Sequence, residues 1–280
     1  MIAALANNGV GMAGASPGVR VLPVRVLGKC GGYDSDIIAG MRWAAGLSVP
    51  GVPANPYPRA RVINVSLGGD GACSVPYQQA VDEIAAAGTL IVAAAGNSSG
   101  HAVATPANCS GVVAVAGLRH VGTKVGFSSL GPEVAISAPG GNCVNTATES
   151  PCLHPILTTT DSGATVPVSP AYTDSLNTSV GTSFATPLVA AVAALALSVD
   201  PTLTPQQVKQ RLQGAARPFP PAGSIASSSV APECAAPLYS LLGRPIDQQE
   251  CYCTTTTCGA GMLDAAAVVT AAESSSTARP

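Results

Sequence analysis

Three mainly apolar runs, Arg61 to Leu67 (RVINVSL), Thr89 to Ala95 (TLIVAAA) and Gly111 to Gly117 (GVVAVAG), most constrain what this chain can fold into. A strand wetted on one face alternates apolar and polar residues, whereas a run apolar almost throughout is buried on both faces. Helix-length stretches flank the runs: Asp34 to Ala45, with Asp34 or Ser35 placed to cap it, and Val75 to Ala87. Strands linked through helices run parallel and carry those helices on both faces. The expected fold is therefore α/β, with a mostly parallel central sheet. Val19 to Leu27 (VRVLPVRVL) reads as a further strand and Val134 to Ala138 as a shorter one. Leu188 to Val199 forms an apolar helix across the middle of the fold, too short to span a bilayer. Thr204 to Gly214 is an amphipathic helix with a Thr-Pro start and a Gly stop, and Gly261 to Ala272 a closing helix. There is no internal repeat.

The 280 residues, 47% hydrophobic, can bury a large core in one large domain or two small ones. Only 10% are charged and the formal net charge is -2, so there is no basic stripe for nucleic acid. Met1 to Ala6 is apolar but has neither a charged flank nor a cleavage site, so it does not read as a secretory leader. Nine cysteines and three scattered histidines lack zinc-finger spacing. The Cys251, Cys253, Cys258 cluster could form a metal knuckle, but a disulfide framework from an oxidising compartment is the stronger reading. Nine is odd, so one thiol is free or its partner lies elsewhere. Residues 218–258, rich in Pro, Ser, Thr and Cys, read as a disulfide-pinned excursion, and 273–280 as a tail or linker. Disulfide chemistry without a leader suggests that the natural protein begins before Met1.

Three short motifs carry candidate chemistry. Gly181-Thr182-Ser183-Phe184-Ala185-Thr186-Pro187 sets a small-flanked serine where a loop becomes a buried helix. Its hydroxyl would be exposed, with a helix N-terminus behind it to favour developing negative charge. Pro187 fits the first turn of that helix, and the segment also reads as a simple Thr/Ser cap. Ala93-Ala94-Ala95-Gly96-Asn97-Ser98 ends a strand on a polar side chain, either a turn or a crevice residue. Ser66-Leu67-Gly68-Gly69 ends another on bare backbone, either a strand stop or an edge open to an extended peptide. The literal GxGxxG at Gly9 to Gly14 follows a helix end and precedes a strand, the reverse of a dinucleotide site.

In this order SLGG, AAAGN and GTSFATP resemble the subtilisin-like serine proteases, the subtilases. Phe127 to Pro132 (FSSLGP), Ser137 to Gly140 (SAPG) and Gly259 to Ala265 (GAGMLDA) resemble further turns and the closing helix of that family. The resemblance runs from Met1 to about Ala272, with 1–272 a partial peptidase domain, and points to extracellular Gram-negative members. It implies Ser183 as nucleophile and Asn97 as oxyanion donor. Ser66, Leu67 and Gly68 would pair with a peptide substrate, and Ala94 and Gly96 would wall its pocket. The family triad also needs an Asp and a His. Met1 to Leu5 matches the continuation of the helix that carries the His, so both would lie upstream and the sheet would lack its N-terminal strand. His101, His120 and His154 lack the expected setting, and the chain alone is expected to be inactive and poorly stable.

The same resemblance implies a secreted monomer acting on proteins or peptides. It would have no membrane partner and no cofactor for the chemistry, with room for a structural calcium ion near Asn7 to Gly14. It implies disulfides Cys30–Cys73 and Cys109–Cys143 and leaves the other pairings open. A non-catalytic relative that binds extended peptides through the SLGG edge is the alternative.

Overall fold

The computed structural model describes residues 1–141, 154–174 and 180–277. After helix α1 (Asp34–Ala44) come β1 (Val62–Val65), α2 (Val75–Ala86), β2 (Leu90–Ala94), β3 (Val113–Leu118) and β4 (Val134–Pro139). The four strands form one parallel sheet in the order β1-β2-β3-β4. A two-stranded hairpin, β5 (Thr158–Asp161) with β6 (Pro170–Thr173), precedes the long helix α3 (Thr182–Val199). Next are α4 (Pro205–Gly214), the small hairpin β7 (Leu238–Tyr239) with β8 (Pro245–Ile246), and α5 (Ala265–Thr277).

Successive strand residues face opposite sides, so each apolar run feeds two cores. Ile91, Ala93, Ala95, Ala114 and Ala116 pack with Ile37 and Met41 of α1 and Tyr77, Val81 and Ile84 of α2. Leu90, Val92, Val113, Val115 and Ile136 pack with Val189, Val192 and Ala193 of α3, joined by Val208 and Leu212 of α4 and Val268 of α5. Helices therefore cover both faces, as the sequence implies. By length and composition α3 could cross a membrane, contrary to the shorter reading, but its 18-residue window is 61% buried inside the molecule.

Several local expectations change. Val19 to Leu27 joins no ladder among the described residues, with Val21 60% exposed and Val26 packed on the α1–α2 core. A strand needs a partner for its backbone N–H and C=O groups, and β1 pairs only with β2 among the described strands. Met1 to Leu5 is not helical; it runs beside the following turn, with Gly14, Ala15 and Ser16 N–H donating to Ala4, Met1 and Ile2 carbonyls. The cap residue of α1 is Tyr33, not Asp34 or Ser35; Asp34 instead accepts a hydrogen bond from the Tyr77 hydroxyl at 3.1 Å. Gly261 to Asp264 precedes the closing helix rather than belonging to it. Met262 exchanges backbone bonds with Arg217, and Asp264 Oδ1 caps α5 through Ala267 N–H at 2.9 Å.

The disulfides correct the resemblance. Cys73 pairs with Cys109, their Cα atoms 5.1 Å apart, while Cys30 is free and exposed. Both expected bridges, Cys30–Cys73 and Cys109–Cys143, are excluded by that pair; Cys143 and Cys152 lie outside the described residues. The cysteine-rich excursion is pinned by Cys234–Cys251 and Cys253–Cys258. The sulfurs of Cys234, Cys253 and Cys258 cluster closely, but in disulfides they do not serve as thiolate ligands.

Candidate active site

Gly181 sets the geometry at the start of α3. Its φ of 137° is open to glycine, and a Cβ there would sit 3.2 Å from Asn97 Nδ2. Gly181 N–H donates to the Gly140 carbonyl at 2.9 Å, which docks the helix start against the SAPG turn at the end of β4. Thr182 and Ser183 are then the first two helical residues, at the positive end of the helix. Ser183 is half-buried. Its hydroxyl donates to the Ser66 carbonyl at 3.2 Å, not to a histidine.

Pro187 lies inside α3 and is buried, not in the first turn. Having no N–H, it cannot donate to the carbonyl four residues back, which is that of Ser183. Ser66 replaces the missing donor: its Oγ donates to the Ser183 carbonyl at 2.8 Å and accepts from Asn64 Nδ2 at 3.0 Å. Ser66 and Ser183 are thus joined by two hydrogen bonds running in opposite directions. The end of β1 and the start of α3 are fastened at one point.

Asn97 follows β2 and is exposed. Its Oδ1 accepts from Thr182 N–H at 2.9 Å and from Thr182 Oγ1 at 3.0 Å, while Thr182 Oγ1 accepts from Gly96 N–H at 3.2 Å. A backbone N–H can only donate, so the carboxamide oxygen must face Thr182 and Nδ2 is left as the outward donor. Thr182 is fully buried, which fixes this relay. Gly96 has φ 111°, and a Cβ there would meet Ser129 Oγ at 2.9 Å, so glycine is required for the loop to close on that serine.

Of the expected substrate-binding residues, Ser66 bonds to Ser183 and Gly96 to Thr182. Ala94 is buried, and Gly96, Ser66 and Leu67 are half-buried. Gly68 is exposed, but its Cβ position would lie 2.6 Å from the Thr105 carbonyl. Gly69 pairs with Thr105 in both directions, so the SLGG backbone beyond Gly68 is already partnered. Thr182 and Asn64 were not singled out from the sequence. The first reads there as an ordinary cap; the second is a polar residue in the interior of a mainly apolar run, which was the available signal.

The described histidines lie in other environments. His101 Nε2 is 2.7 Å from Asp247 Oδ1, and the rings of His120 and His154 are 3.9 Å apart. The Asn7 to Gly14 turn holds no carboxylate, and Asn8 Oδ1 already accepts from Val10 N–H at 3.1 Å. These residues by themselves do not fit a calcium cage. No strand leads into GVGMAG and no helix leaves it, so the nucleotide-site pattern is not met.

Residues 1–242 match the model of the subtilase family. The chain is 45% identical over 225 residues to an extracellular protease of Xanthomonas campestris pv. campestris, covering 80% of this chain and 36% of that protein. It is 44% identical over 216 residues to an extracellular basic protease of Dichelobacter nodosus, covering 75% and 33%. It thus spans about a third of the length of these two relatives. Among solved structures it is similar to a protease of Pseudoalteromonas arctica, at TM-score 0.78 and 39% identity, covering 97% of this chain and 68% of that one. The order of the motifs, the parallel sheet behind them and these likenesses have one reading: the chain belongs to the subtilase family.

Proposed function

We propose that this chain is the peptidase core of a secreted serine endopeptidase that cleaves peptide bonds through an acyl-enzyme on Ser183. The observation that carries the reading is the pinning of the Asn97 carboxamide by Thr182 beside Ser183. In this mechanism Ser183 Oγ attacks the scissile carbonyl. The oxygen that becomes negative receives hydrogen bonds from Asn97 Nδ2 and from Ser183 N–H, at the positive end of α3. The Ser66–Gly68 backbone pairs with the extended substrate, and Ala94 and Gly96 wall a pocket whose small side chains suit an apolar or broad preference. Three described disulfides and the extracellular names of the relatives support secretion.

The general base and its orienting carboxylate would be supplied by sequence preceding Met1. Two features support this: the described histidines are engaged away from Ser183, and among the described residues β1 is paired on one side only while Val19–Leu27 joins no ladder. The test expresses the protein with the sequence that precedes Met1 in its gene and incubates it with unstructured protein, reading cleavage by mass spectrometry. Internal cuts lost in Ser183→Ala are expected. A folded protein that makes none overturns the proposal.

A further inference from the structure

We propose that Lys124 is a positioning residue for the Asn97 loop: its ammonium gathers the carbonyls of the 125–128 turn, and that turn holds residues 96–101 in register beside Ser183. The proposal rests on the reading of Asn97 as oxyanion donor. Lys124 is completely buried, with no exposed surface. An ammonium in such a place is costly unless each of its three N–H groups finds an acceptor. Lys124 Nζ donates to the carbonyls of Val125 at 3.1 Å, Gly126 at 2.9 Å and Ser128 at 3.1 Å. Three carbonyl dipoles pointing at one spot repel one another, and the cation is what makes their convergence favourable.

The curled turn is then the template for the Asn97 loop. Ser99 N–H donates to the Phe127 carbonyl at 2.8 Å and Gly100 N–H to the Ser128 carbonyl at 2.9 Å. In return Ser129 N–H donates to Gly96 and Leu130 N–H to His101, at 2.9 and 3.0 Å. Ser129 Oγ accepts from Ser98 N–H at 3.2 Å. The Ser128 carbonyl therefore takes Lys124 on one side and Gly100 on the other, three residues along from Asn97. Backbone on either side of Asn97 is tied to this one turn.

The charged and titratable groups around Lys124 come from two neighbouring segments and the loop itself. Asp247 and Glu250 favour the ammonium; His101 pairs with Asp247 and Arg119 with Glu250, with His120 adjacent in the chain. Burial outweighs the two carboxylates and pushes Lys124 down to about 7. Below that value the side chain has three donors. Above it the neutral amine keeps two and one carbonyl is abandoned, so the loop loosens as pH rises.

The test uses the protein as its gene encodes it, with Ser183→Ala to prevent self-digestion in the exchange experiment. Amide hydrogen exchange at Ser99 and Gly100 is expressed as protection factors, so that intrinsic base catalysis cancels. Lys124→Met is expected to lower protection there by about tenfold or more, the scale of a lost charged hydrogen bond, while amides of β2 stay unchanged. Without the substitution, protection should fall between about pH 6 and pH 9 in step with the chemical shift of the Lys124 ε-carbon. Unchanged protection in Lys124→Met overturns the proposal. Should that variant not fold, a Lys124 titration that leaves Ser99 and Gly100 unmoved overturns it. With the serine restored, Lys124→Met should lower kcat about tenfold and leave KM within roughly twofold. An active enzyme whose kcat ignores Lys124→Met overturns the inference alone. Loop protection that follows Lys124 in a protein unable to cut peptides overturns the protease reading and leaves the clamp standing.

Discussion

Asn97 Oδ1 takes two hydrogen bonds from Thr182, and only the one from the hydroxyl can be removed by substitution. Thr182→Val keeps the shape and deletes that donor, leaving the carboxamide freer to rotate. The expected result is a fall in kcat of about tenfold with KM little changed, on the scale of one ordinary hydrogen bond. Thr182→Ser should retain most of the rate. Steady-state kinetics on one peptide substrate checks both, and equal losses in the two variants would contradict the role given to the hydroxyl. For Asn97 itself the family supplies its own precedent, a loss of about 10²–10³ in kcat, which is a comparison value rather than a result of this geometry. Ser183 and Asn97 were singled out in the sequence because each sits where a buried apolar run meets small residues. Thr182 was not, since a Thr before a helix reads first as a cap, and only the three-dimensional approach of Asn97 shows its second use.

The joint between β1 and α3 depends on a proline and a serine that are far apart in sequence. Pro187 deprives the Ser183 carbonyl of its helical donor, and Ser66 supplies one. Ser66→Ala should therefore cost about 1 kcal/mol of stability, and less in a Pro187→Ala background, where the helix can donate to that carbonyl itself. A double-mutant cycle by urea unfolding measures the coupling, and strict additivity would contradict it. The buried strands and helices were readable from their apolar runs because both faces of the sheet are covered. Val19 to Leu27 shows the limit of that reading. Its composition suits a strand, yet pairing depends on a partner's backbone, and among the described residues it joins no ladder. The disulfide partners were illegible for a similar reason: Cys73 and Cys109 meet only through the packing of α2 and the loop before β3.

At the scale of the whole molecule, Glu250 ties the cysteine-rich excursion to Arg119 and Thr123, in the loop that leaves the C-terminal end of β3. Burial pushes its carboxyl up, but Ser228, Thr123 and Arg119 together hold it below the usual range. A depressed folded value means that the contribution is full above the unfolded value and fades as pH falls through the folded one. Glu250→Gln should thus be less stable near neutrality, and its deficit should shrink in acid; urea unfolding over a pH series reads this, and a constant deficit would contradict it. The larger arrangement brings Gly96–His101, the 125–130 turn and the start of α3 together at the ends of β2 and β4, with Ser66 just after β1 bonded to Ser183. The central claim is that this assembly activates Ser183 once the rest of the triad is present. The most direct measurement is reaction of a fluorophosphonate with the protein carrying the sequence that precedes Met1 in its gene, followed by peptide mapping. One adduct on Ser183, absent in Ser183→Ala, is the predicted result; a folded protein with Ser183 unmodified would contradict it.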